Sequence, residues 1–161
     1  MKKIFTLFIA FTLLSCNDGD FDIPAFEFTD TINTCGESLL YVTNTEKTET
    51  LIISLTDTHL GETTGEKSYP ISTTLKVTYR IFDEGIGTDY FCQEIPPATP
   101  LVLKELDAQD GSIVINTTAT IEDEIVTGYE YDISFKNLLF LDNNERIYFE
   151  TMLFGSFELS N

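Results

Sequence analysis

The sequence predicts an all-β fold in which two antiparallel sheets pack as a sandwich, and three observations lead there. Apolar and polar residues alternate with a period of two, most clearly in Tyr129-Glu130-Tyr131-Asp132-Ile133-Ser134-Phe135-Lys136. Turn signals built from Gly, Asp, Asn and Pro recur every ten or so residues. No stretch beyond residue 20 shows a helical period, and only Lys104 to Ala108 could hold a short helix. An up-and-down barrel is the alternative; the proline-rich connection at Pro96 to Pro100 and the absence of Trp favour the sandwich.

The elements follow in chain order. Pro24 ends a linker, and Phe26 and Phe28 alternate with Glu27 and Thr29 as a first strand. Leu39 to Thr43 and Thr50 to Thr56 form a hairpin about the polar Asn44 to Glu49, with Leu51, Ile53 and Leu55 facing the core. Asp57 to Pro70 is polar and glycine-containing, and reads as a surface loop. Thr73 to Phe82 is a long strand that buries Leu75, Val77, Tyr79 and Ile81. Asp83 to Thr88 breaks it, and Tyr90-Phe91-Cys92 leads into Pro96-Pro97-Ala98-Thr99-Pro100, an extended connection that reads as a crossover. Four strands complete the chain: Leu101 to Ala108, Ser112 to Ile121, Ile125 to Leu141 and Arg146 to Leu159. Their turns are Gln109-Asp110-Gly111, where Asp-Gly is a hairpin signal, then Glu122-Asp123-Glu124 and Asp142-Asn143-Asn144-Glu145. Seven to nine strands with one long crossover suggest an immunoglobulin-like, Greek-key arrangement.

The first residues belong to a different kind of segment. Lys2 and Lys3 precede Ile4 to Leu14, an uncharged run broken only by Thr6 and Thr12. A spanning helix needs about 20 apolar residues, so the run is too short to cross a bilayer and suits the apolar part of a signal peptide. Leu13-Leu14-Ser15-Cys16 resembles the bacterial lipobox. The resemblance implies cleavage between Ser15 and Cys16 and acylation of Cys16. Asn17-Asp18-Gly19-Asp20-Phe21-Asp22 is similar to the acidic export signal that takes lipoproteins of Bacteroidota-type bacteria to the outer face of the outer membrane. The expected organisation is a signal peptide over 1–15, an acidic lipid-anchored tether over 16–25 and a single sandwich domain over 26–161.

Charge and cysteines bound the rest. The formal net charge is −18, and losing Lys2 and Lys3 makes the mature chain two units more negative. Such a surface repels phosphate backbones, so nucleic acid is not an expected partner. With 42% apolar residues, 13 Phe and 7 Tyr, the chain can still build a core. In an oxidising compartment Cys35 and Cys92 read as a disulfide; two buried thiols or a metal pair are the rivals, the latter short of ligands because His59 is the single histidine.

Catalytic signals are thin. There is no Gly-x-Ser-x-Gly elbow, and any triad would have to use His59, in a loop where a solvated role is the ordinary one. With 27 acidic residues no carboxylate pair stands out. Asp18-x-Asp20-x-Asp22 begins like a calcium loop, but Ile23 occupies the position that requires glycine. Asp142, Asn144 and Glu145 are the candidate cation ligands, with calcium the cation the composition suits; no other cofactor is expected. Glycan binding would rest on tyrosines such as Tyr41, Tyr69, Tyr90 or Tyr148, and Tyr69, beside Pro70 in the polar loop, is the least core-like. The expected function is a non-enzymatic binding or structural module at the cell envelope, held to the membrane by its lipid and engaging a protein or glycan. Alternatives are a calcium-stabilised adhesion module, a glycan-binding accessory protein or a carboxylate-dependent hydrolase.

Overall fold

Alternation over the described residues becomes nine strands in two sheets. The computed structural model describes residues 26–160 apart from positions 30, 37, 57 and 96. The strands are β1 (Asn33–Cys35), β2 (Leu39–Thr43), β3 (Glu49–Ser54), β4 (Gly65–Pro70), β5 (Val77–Phe82), β6 (Val102–Asp107), β7 (Asp110–Glu122), β8 (Ile125–Asp142) and β9 (Glu145–Ser160). A five-stranded sheet runs β1-β2-β3-β5-β6 and a four-stranded sheet runs β4-β7-β8-β9. All neighbouring strands are antiparallel. The sheets do not close on each other, so the fold is a sandwich and not a barrel.

The facing rows meet in one core. Leu51, Ile53, Val77 and Tyr79 come from the five-stranded sheet, and Ile113, Ile115, Tyr131, Ile133, Phe135, Leu138 and Phe140 from the four-stranded one. Such burial removes apolar surface from water at about 25 cal/mol per Å². The reverse face of the five-stranded sheet is covered too. Tyr41, Ile52, Phe82, Ile86 and Tyr90 form a second cluster there, which explains why β2 and β3 read as near-continuous apolar runs. The β5–β6 connection supplies the cover, and the Tyr41 hydroxyl donates to the Thr88 carbonyl at 2.6 Å.

Several expectations are corrected. Phe26 to Thr29 forms no strand. Phe26 instead takes a positive φ of 49° and plugs the core, its ring stacked on Tyr79 at 4.4 Å and 4.8 Å from Phe149. Burial of the ring holds this segment, together with one backbone hydrogen bond from the Thr29 amide to the Thr43 carbonyl at 2.9 Å. The expected loop before Pro70 contains β4, whose exposed and half-buried residues alternate because only one of its faces meets the core. β4 is an edge strand, so Pro70 at its end removes no ladder bond that a neighbour needs. β5 starts at Val77 and not Thr73, since the Ser72 hydroxyl accepts from the Leu75 amide at 3.1 Å and closes a turn first. The strand expected over Leu101 to Ala108 is present as β6, Val102–Asp107.

Two connections also differ. β5 and β6 pair directly, so the proline segment is a long excursion within one sheet; β4 and the β6–β7 junction make the changes of sheet. Asp110-Gly111 is therefore no hairpin. The Ala108 amide donates to Val77 of one sheet and the Gln109 amide to Leu139 of the other, at 2.9 and 2.7 Å. Gly111 follows in a bulge with φ 127°, where a Cβ would lie 2.9 Å from Leu138 Cα. The other two turns behave as the sequence suggests: Asp123 and Glu124, and Asn143 and Asn144, have positive φ at both central positions, as two-residue type I′ hairpins require.

Gly111→Ala should lower stability by more than about 1 kcal/mol, because it combines a forbidden φ with a backbone clash. Urea unfolding measures this, and an unchanged midpoint would contradict the sheet-switch geometry.

Candidate functional site

The residues singled out in the sequence do not converge on one place. Ser15 and Cys16 lie outside the described residues. Cys35 and Cys92 are joined, with Cα atoms 5.1 Å apart and a separation of 57 positions along the chain. The bond ties the end of β1 to the 3-10 turn Tyr90–Cys92, the one helical turn among the described residues. It thereby secures the cover over the second cluster. Its neighbours are aromatic: Phe91 packs on Tyr41 and Tyr90 at 4.8 and 5.0 Å.

The candidate cation ligands are accounted for by the hairpin itself. Asp142 accepts from the Lys104 ammonium, linking β8 to β6, while Asn144 supplies the turn's positive φ and Glu145 pairs with Asp142 across it. Among the described residues no group of three His, Cys, Asp or Glu side chains is placed to hold a metal. Tyr69 is half-buried against the main core, and His59 meets its ring edge-on at 4.7 Å. His59 Nδ1 accepts from the Thr56 amide at 2.9 Å, which gives the histidine a turn-closing role. Tyr41 and Tyr90 are buried, leaving Tyr148 exposed with its hydroxyl donating to Asn137. An open cleft of about 480 Å³ is lined by Glu27, Phe28, Asn44, Glu46 and Glu49, but the Glu49 carboxylate already accepts from the Tyr79 hydroxyl at 2.6 Å.

A different surface stands out once the two sheets are compared in length. β8 has 18 residues and β5 has six, or about 60 against 20 Å at 3.3 Å per residue. The four-stranded sheet therefore overhangs the other. Register places Thr117 opposite Tyr131, Ala119 opposite Tyr129 and Ile121 opposite Val126; Tyr131 faces Phe157 and Tyr129 faces Leu159. All share the core-facing side. Thr118, Thr120, Glu130 and Glu158 share the other, where the Thr120 hydroxyl donates to Glu158 at 2.9 Å.

Along that inner face the cover runs out. Tyr131 is 2% exposed, Leu159 44%, Val126 40% and Ile121 63%. The β3–β4 loop reaches as far as Tyr131, whose hydroxyl lies 3.4 Å from the Leu60 carbonyl, and no described element covers the rows beyond. No protein-family model, curated protein or solved structure matches the chain. The sequence carries a signal for this arm in the alternation of Ala119 and Ile121, but the register shift that aligns Val126 with Ile121 is not a local pattern, and the exposed residues are aliphatic, unlike the tyrosines expected of a glycan site.

Three tyrosines have phenol pKa values pushed above the usual range. For Tyr79 burial is the main cause and the hydrogen-bonded Glu49 adds to it; burial comes first for Tyr41, then Asp89, and for Tyr131 burial, then Glu62 and Tyr129. Unfolded tyrosine ionises near pH 10. A raised folded pKa contributes stability that is fully present below that value and is lost as pH climbs past it.

Urea midpoints should accordingly fall above about pH 10, with Tyr79→Phe flattening the fall; a flat alkaline profile in the parent protein would contradict these environments. Cys92→Ala should cost about 2–5 kcal/mol by freeing the loop and loosening the second cluster. Denaturant titration of the oxidised protein against the variant measures this loss.

Proposed function

We propose that this chain is a lipid-anchored envelope protein whose sandwich serves as a non-enzymatic binding module, displayed on the outer face of the outer membrane. The observation that carries the binding reading is the apolar inner face of the β7–β8–β9 arm, uncovered from Leu159 to Ile121. Contiguous exposed apolar surface on a soluble body is characteristic of interaction sites.

Geometry relates the arm to the proposed anchor. Phe26 enters beside Phe140 and Phe149, fifteen positions along β8 from Ile125, or about 50 Å. Residues 17–25 between Cys16 and the plug reach at most about 35 Å. An acyl group on Cys16 would hold the plug end near the bilayer and leave the arm pointing outward. Asp18, Asp20 and Asp22 beside the anchor support the export reading.

Mass spectrometry of the native product should find a first residue at Cys16 carrying acyl mass, and Cys16→Ser should abolish both the modification and membrane retention. An unmodified mature chain would overturn the anchor. Protease added to intact cells should degrade the protein if it is on the outer face, and full protection would place it inside.

A further inference from the structure

We propose that the uncovered inner face of the arm is the docking site for a cationic, amphipathic polypeptide segment of another protein; this rests on the binding-module reading above and names the chemistry of the partner. The floor of the site is apolar, with Ile121, Val126, Tyr129 and Leu159 on one side of the sheet. A register shift at Thr120/Ile121 brings Val126 opposite Ile121 beyond the last covered row, so the inner face stays apolar to the tip although the alternation along β8 is interrupted there. That pattern matches an occupant with an apolar row of its own.

Charge decides between occupants. From residue 110 to residue 135 the sequence contains no Lys or Arg, while Glu122, Asp123 and Glu124 form the turn at the tip of the arm; Glu130 and Glu158 lie on the opposite face of the sheet. Glu62 lies at the base, close enough to Tyr131 to help raise its pKa. An apolar floor that ends in an acidic turn, with the Lys67 ammonium near Gly61 at its base, fits a segment whose apolar residues alternate with Lys or Arg toward the tip, since like charge disfavours other combinations. A second copy is a poor occupant. Two arms would bring these carboxylates together, and the few apolar side chains available fall well short of the roughly 20–30 residues per side of a stable interface.

The test is fluorescence anisotropy with the full chain in dodecyl maltoside and a labelled peptide of alternating Val and Lys, against a Ser-Lys peptide of equal charge. The Val-Lys peptide should bind at least about tenfold more tightly than Ser-Lys. Ile121→Ser combined with Val126→Ser, which leaves net charge unchanged, should remove that advantage, as expected for burying two β-branched side chains. Glu122→Lys with Glu124→Lys should weaken binding about tenfold and reduce its salt dependence. Unchanged melting temperatures confirm that the variants fold. Equal binding of the two peptides, or unchanged binding by the serine variant, overturns the proposal. So does self-association that the serines abolish, which would assign the face to a second copy, or serine-sensitive binding to phosphatidylcholine vesicles, which would assign it to lipid. Binding at the arm by a chain lacking acyl mass would leave this proposal standing while the anchor fails.

Discussion

The pairing register of β8 is the constraint on which the architecture depends. β8 is hydrogen-bonded on both sides, to β7 and to β9, along nearly its whole length. Because strand side chains repeat every two residues, a slip of one would turn Tyr131, Ile133 and Phe135 to solvent and Asp132 and Ser134 to the core. The two type I′ turns pin each end. Bulges then adjust the sheet between them: β9 carries an extra residue where Ile133 gives way to Ser134, and Phe154 and Met152 both pack on the core there. Such insertions bend a strand and increase its twist, which suits a long sheet laid over a much shorter one.

The margins of the sandwich are closed by three unlike devices. Phe26 fills the gap between sheets beside β9, and Thr31 makes a parallel bridge to Ser156 that covers part of this edge. Glu150, Glu158 and the bulge discourage pairing along the remainder of β9, since charges and local twist blunt an open ladder. At the other edge of the long sheet β4 is short and ends in Pro70. On the five-stranded sheet the disulfide holds the β5–β6 excursion down over Tyr41 and Ile52. Surface ion pairs such as Lys136 with Glu66 add little by comparison, because water screens both partners.

How much of this was legible in the chain depended on whether the deciding contact was local. β7, β8 and β9 could be read because alternation and turn chemistry agreed over long spans. β4 could not: Gly65, Glu66, Lys67 and Ser68 have weak strand preference, and their partner Ile113 to Thr117 lies more than 40 positions away. Asp110-Gly111 was misread for a related reason. A positive φ serves a bulge as well as a hairpin, and the approach of Leu138 selects the bulge. Phe26 looked like a strand residue because an isolated plug and an edge strand both place an aromatic beside polar neighbours. The uncovered inner face of the arm was the hardest to see. Ile121 and Val126 read correctly as strand residues, but their exposure follows from where the opposite sheet stops, which no local pattern encodes.

Acidity and exposed aliphatic surface are complementary features of one arm. At physiological ionic strength charges are screened over about 8 Å, so most of the chain's excess negative charge does not act at the arm. Glu130 and Glu158 lie on the reverse face of the sheet, so what acts there is Glu122, Asp123 and Glu124 in the turn. These carboxylates are close enough to Ile121 and Val126 to oppose an acidic copy approaching face to face, and they cost little while solvated. The same groups would be attracted to ammonium or guanidinium groups flanking an apolar row, and burial of that row would lower the local dielectric and strengthen the attraction. On the proposed reading, the aliphatic floor can remain open without driving self-association, because the acidic turn discriminates by the sign of the approaching charge.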